Sequence, residues 1–149
     1  MQEREAAGVL RDTAAIRTPF YVVDETLLKK NLEILKDTAE RAGCRILLAQ
    51  KAFSMYSVYP LIRQYLSGTA ASGLYEARLG KTEFGGETHV FSAAYRPDEF
   101  DEILNYADHI VFNTPGQVLK YGEKVKKSRK TGGTPAEPGV FHAGGSRDL

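Results

Sequence analysis

The 149-residue sequence contains no tryptophan, one cysteine and two methionines. A lone cysteine, Cys44, excludes an internal disulfide and fits a reducing compartment. Long hydrophobic runs are also missing. No stretch approaches the roughly 20 apolar residues that cross a bilayer. The N-terminal MQEREAAGVLRDTAAIRTP has no apolar core of signal-peptide length. An excess of one charge is absent too: 20 Lys and Arg stand against 19 Asp and Glu, for a net charge of +1. Composition therefore proposes no nucleic-acid or membrane partner, and a cytoplasmic protein is the expectation. What is present, 42% apolar and 26% charged residues, is the balance of a soluble globular chain.

The pattern along the chain alternates between two periods. Residues 1–17 read as a charged, Ala-rich arm. PFYVVD (19–24) is a strand candidate, being β-branched and aromatic. Asp24 can cap a helix over 25–42, where Leu27, Leu28, Leu32, Leu35 and Ala39 recur at helical spacing and Gly43 closes the run. RILLAQ (45–50) is the next strand. A helix over about 54–67 follows, with Ser54 as its cap, and then a short extended TAAS (69–72). Helical patterns over 74–84, 98–107 and 115–127 alternate with strands HVFSAAY (89–95) and HIVFN (109–113). Continuous apolar strands separated by helices predict a parallel sheet with crossover helices. That is an α/β chain, either doubly wound or part of a (β/α)8 barrel. A complete barrel takes about 250 residues, so only part of one fits.

One residue sits awkwardly in this pattern. Lys51 follows directly on the apolar RILLAQ strand. In both α/β architectures reactive groups sit at the C-terminal ends of strands. An apolar strand predicts a partly desolvated amine, which is easier to deprotonate and able to condense with an aldehyde. The plainer reading is a lysine that carries its charge out to solvent. Glu76 and Arg78 read as a solvated pair or a cap. The lysines of 120–130 read as a solvated helix end, and Phe53, Tyr56, Tyr59 and Tyr65 as core or interface. His89 and His109 open strands at the end opposite Lys51 and read as structural, since no metal-ligand spacing is present.

PFYVVD, LLAQKAF, GTAASGLYEARLG, HVFSAAYRPDE and DHIVFNTPGQ, in that order, resemble the start of the pyridoxal-phosphate decarboxylases of the alanine-racemase-like barrel class. Within that class, the stretch LAQKAFSMYSVYPLIRQYL with ASGLYEARLG is most similar to the carboxynorspermidine (carboxyspermidine) decarboxylase family. The likeness covers residues 18 to about 127 and implies the N-terminal half of a TIM-like barrel, with RILLAQ as barrel strand one and TAAS, HVFSAA and HIVFN as strands two to four. It implies that Lys51 holds pyridoxal 5'-phosphate as a Schiff base and that Ser72 and Asn113, at strand ends, line the cofactor pocket. On the residues alone, both are equally turn or cap positions. The resemblance also implies a small-molecule polyamine substrate and a homodimer with shared active sites. Thr69 stands where related amino-acid decarboxylases carry an acid. Phe53 replaces the asparagine usual after the lysine in diaminopimelate enzymes, which points away from that substrate.

After Ser128 the apolar period ends. SRKTGGTPAEPGVFHAGGSRDL is rich in Gly and Pro, so residues 128–149 are expected to be a disordered tail. The family continues there with a fifth barrel strand. A one-nucleotide shift of permissible codons spells a segment of that kind, and the tail is read as a frameshift product. A truncated barrel is then expected, with little or no decarboxylase activity of its own. Two other readings stay open: a pyridoxal-phosphate-binding module without turnover, and an α/β interaction domain in which Lys51 only reaches solvent.

Overall fold

A computed structural model of the chain describes residues 16–134. Five parallel strands form one sheet in sequential order: β1 Leu47–Ala49, β2 Gly68–Ala71, β3 Glu87–Ser92, β4 His109–Phe112 and β5 Thr131–Gly133. The helices are α1 Glu25–Ala42, α2 Tyr59–Ile62, α3 Leu74–Leu79, α4 Phe100–Tyr106 and α5 Pro115–Lys127. Strictly sequential parallel order requires every crossover to turn the same way, which stacks the helices on one face. That is the winding of a (β/α)8 barrel and not of a doubly wound sheet, and it decides between the two architectures.

Side-chain alternation divides the sheet into two unlike faces. Ile46, Leu48 and Gln50 of the first strand segment turn toward the helices, as do Thr69 and Ala71, Thr88 and Val90, and Ile110 and Phe112. Two apolar clusters cover that face. One gathers Leu32, Val58, Tyr59, Ile62, Leu66 and Phe84. The other is built on Val90, Tyr95, Phe100, Ile110, Phe112 and Tyr121. The Phe100 and Tyr121 rings stack at 4.1 Å, and Tyr95 meets Phe100 edge-on at 5.3 Å. Each fully buried aliphatic or Phe side chain contributes about 1.5–3 kcal/mol by leaving water.

Capping follows the sequence closely. Asp24 accepts hydrogen bonds from the Thr26 and Leu27 backbone N–H groups, and Gly43 ends α1 in the left-handed conformation at φ 62°. Thr114 caps α5 through the Gln117 N–H. Close backbone approach explains Gly68: a Cβ there would lie 2.0 Å from the Glu87 carbonyl oxygen of the neighbouring strand.

Four expectations need correction. PFYVVD forms no strand. It runs as irregular chain with Tyr21 94% exposed, since no strand pairs with it among the described residues. The helix expected over 54–67 shrinks to a 3-10 turn at Tyr56–Val58 and the four-residue α2, and Ser54 does not cap it. The helix expected over 74–84 changes to a π turn at Gly80–Phe84, closed by Gly85. Regular structure also continues past Ser128. Thr131 and Gly132 pair with His109 and Ile110, so glycine-rich residues that lack apolar period form the fifth strand. Backbone pairing supplies what side-chain patterning does not. Residues 1–15, most of the expected arm, and 135–149, most of the expected tail, lie outside the described residues.

Candidate functional site

The three residues singled out by sequence lie at one end of the sheet. Lys51 is in the turn that follows β1, where Gln50 N–H still bonds to the Ala70 carbonyl. Ser72 immediately follows β2, and Asn113 immediately follows β4. Their strand-mates on the helix side are Gln50, Ala71 and Phe112, all buried. Lys51, Ser72 and Asn113 lie just beyond the C-terminal ends of β1, β2 and β4, at one rim of the sheet. All three are exposed. The rim of a parallel sheet is where α/β proteins place reactive groups.

Local hydrogen bonds fix the backbone at this rim. Gln50 is 2% exposed, and its amide donates to the Glu76 carbonyl at 2.8 Å, while the Tyr59 hydroxyl donates to its oxygen at 3.3 Å. This buried amide pins the residue before Lys51 to both α3 and α2. Glu76 closes the Ser72 turn, its carboxylate accepting the Ser72 N–H at 2.6 Å. Gln117 does the same for Asn113 at 2.7 Å and donates to the Ala93 carbonyl at 2.9 Å. Glu76 is thus a capping residue, as expected, and Arg78 pairs with Glu102. Neither Gln50 nor Gln117 drew attention as sequence. Their signal, a glutamine directly before the strand-end lysine and one four residues after Asn113, is legible only once the turns are known.

Two site expectations change. The partly desolvated amine is not observed: Lys51 is exposed, because no layer covers the helix-free face among the described residues. Thr69 faces the helices. Its hydroxyl is fully buried against Gly80, so it belongs to the sheet–helix packing and not to the rim.

The first residues of β3 and β4 carry a cluster that spacing along the chain conceals. Parallel register sets His89 on β3 beside His109 on β4, and the rings lie 4.1 Å apart. Glu87, two residues before His89, brings Oε2 to 3.2 Å from His89 Nε2 and 3.9 Å from His109 Nε2. Arg45 takes the other oxygen. Burial works against the Glu87 carboxylate, but His89, Arg45 and His109 outweigh it and hold its pKa below the usual range. Burial, with the neighbouring His89, lowers the pKa of His109.

The cofactor implied by the fold class can be tested against these residues. Lys51 supplies a primary amine at the strand-end position, and Ser72 and Asn113 supply a hydroxyl and an amide at the same rim. A carbonyl-bearing cofactor with polar ring substituents fits that donor set.

No family model matches the chain. Among individual proteins, it is 40% identical over 125 residues to a carboxynorspermidine/carboxyspermidine decarboxylase of Herminiimonas arsenicoxydans, covering 84% of this chain and 34% of that protein. A carboxyaminopropylagmatine decarboxylase of Synechocystis sp. is 38% identical, over 84% of this chain and 32% of its own length. Among solved structures, carboxynorspermidine decarboxylase of Campylobacter jejuni, complexed with norspermidine, superposes with a TM-score of 0.73 at 36% identity. The match covers 79% of this chain and 31% of that one. The chain thus spans about a third of the length of the relatives it matches. Sequence and fold agree that it is similar to that third of a carboxynorspermidine/carboxyspermidine decarboxylase.

Proposed function

We propose that this chain carries the lysine-bearing rim of a pyridoxal-phosphate-dependent decarboxylase acting on carboxynorspermidine or carboxyspermidine in polyamine biosynthesis. The observation that supports it most is the position of Lys51, Ser72 and Asn113 just past the C-terminal ends of β1, β2 and β4, in a chain 36–40% identical to decarboxylases of that name.

Bound pyridoxal phosphate supplies an electron sink for the pair left behind when CO2 departs. The chain's own groups do the rest. Lys51 Nζ would hold the cofactor and would be the group available to carry a proton there. Ser72 Oγ and Asn113 Nδ2, at the ends of β2 and β4, would help hold the cofactor. Gln50, fixed by Tyr59 and Glu76, keeps Lys51 at the rim. Water is not excluded from Lys51 by the described residues, and closure against water strengthens every charge interaction in such a site. Little or no turnover by this chain alone is therefore part of the proposal, and a dimer with shared sites is the assembly in which the rim would be covered.

Cofactor titration followed by visible absorbance tests the reading. Wild type develops a band that is missing in Lys51→Ala and weaker in Ser72→Ala and Asn113→Ala. An unchanged band in Lys51→Ala would remove the lysine from its role. Release of CO2 from carboxynorspermidine, but not from ornithine or diaminopimelate, tests the substrate.

A further inference from the structure

The cluster of Glu87, His89 and His109 lies on the helix-free face at the starts of β3 and β4, and the decarboxylase reading makes no use of it. We infer that it is a binding site for a divalent transition-metal ion of the zinc class, ligated by His89 Nε2, His109 Nε2 and Glu87 Oε2.

Geometry supports three ligands. One donor atom from each residue lies within 4.8 Å of the other two. The two imidazole-to-carboxylate separations are 3.2 and 3.9 Å. Zinc bonds of about 2.0–2.1 Å in tetrahedral arrangement set ligand separations of about 3.3–3.5 Å. The site therefore needs shifts of only tenths of an ångström on those edges. Glu87 and His89 project from one strand two residues apart, and His109 is the register partner of His89. Two hydrogen-bonded strands thus hold all three ligands.

The Thr131 hydroxyl contacts His109 Nδ1, so an oxygen partner stands beside the ring nitrogen that would not ligate. A histidine ligand whose other ring nitrogen has an oxygen partner is the usual outer-sphere arrangement of metal sites. Arg45 neutralises Glu87 Oε1 and leaves Oε2 for the ion. Asp108, next to His109, is occupied by Lys81 and Lys130 and does not compete. Three protein ligands leave a fourth position for water, so the ion would clamp β3 to β4.

The test is calorimetric titration of the full, chelator-stripped chain with zinc chloride near neutral pH. The expectation is one site per chain. His89→Ala and His109→Ala each weaken it by more than the roughly 10–100-fold that loss of an outer-sphere partner costs. Glu87→Gln, close in shape, also weakens it. His142→Ala and Cys44→Ala leave it unchanged. Cobalt(II) added to the wild-type chain gives the strong visible absorption of a tetrahedral ion, a readout that needs no variant to fold. Absence of zinc binding or of that absorption would overturn the site. So would binding that survives in both histidine variants, or that disappears with His142→Ala; in those cases Glu87 serves only as a proton-bridged partner of the two rings.

Discussion

Lys81 Nζ lies 3.1 and 3.0 Å from the two carboxylate oxygens of Asp108. The same carboxylate accepts the Thr88 N–H at 3.0 Å, so one side chain ties the π turn after α3 to the starts of β3 and β4. Asp108→Ala should cost about 1–2 kcal/mol of stability in urea unfolding. This is toward the lower part of the range for charged hydrogen bonds because both partners are partly exposed. Asp108→Asn, which can still accept the Thr88 N–H, should lose less.

Tyr95 is the polar keystone of the larger core cluster. Its hydroxyl lies 2.9 Å from the Val90 carbonyl and 2.8 Å from that of Val111, bridging β3 and β4. Tyr95→Phe should cost about 1 kcal/mol, the net worth of one hydrogen bond, with the ring packing retained. Burial raises the phenol's pKa well above its ordinary value. The folded chain therefore keeps this proton where the unfolded chain loses it. Stability should fall as pH rises beyond about 10, the unfolded tyrosine value. Tyr95→Phe should show a smaller fall over the same range, measured as the urea midpoint against pH.

Gly80 admits no side chain without movement. A Cβ there would meet Thr69 Oγ1 at 2.3 Å and Gln50 Nε2 at 2.9 Å. Gly80→Ala should destabilise by about 1–3 kcal/mol, the cost of overpacking. The Thr69 hydroxyl is buried without a hydrogen-bond partner among the described residues, so Thr69→Ala should remove part of the clash at modest cost of its own. The double variant should therefore be more stable than additivity predicts. A strictly additive pair would mean that the two side chains do not compete for this space.

Phe100 is fully buried at the stack with Tyr121. Phe100→Ala should cost about 3–5 kcal/mol in the same assay. A small loss would show that α4 does not anchor the cluster.

The order of elements was legible from residues 25 to 127 because two periods, helical and strand, alternate cleanly there. Asp24 and Gly43 announced helix ends through chemistry that acts within a few residues. PFYVVD misled because β propensity states what a segment prefers, and only a partner makes it a strand. Thr131–Gly133 hid for the opposite reason: its pairing with β4 is made by backbone, which composition does not record. Lys51 stood out because a charged residue ended an apolar run, but its exposure depends on what covers the face, a property of layers and not of spacing. The pair His89 and His109, twenty residues apart along the chain, became neighbours through register alone.

The central claim is that Lys51 is the amine that binds the cofactor, and chemical trapping measures it directly. Wild-type chain and Lys51→Ala are incubated with pyridoxal phosphate, reduced with borohydride, digested and mapped by mass spectrometry. The account predicts that the phosphopyridoxyl mass falls on the peptide containing Lys51, in preference to the other exposed lysines, and that the variant shows no comparable label. Labelling spread evenly over surface lysines, with Lys51 no more modified than Lys29 or Lys120, would contradict it.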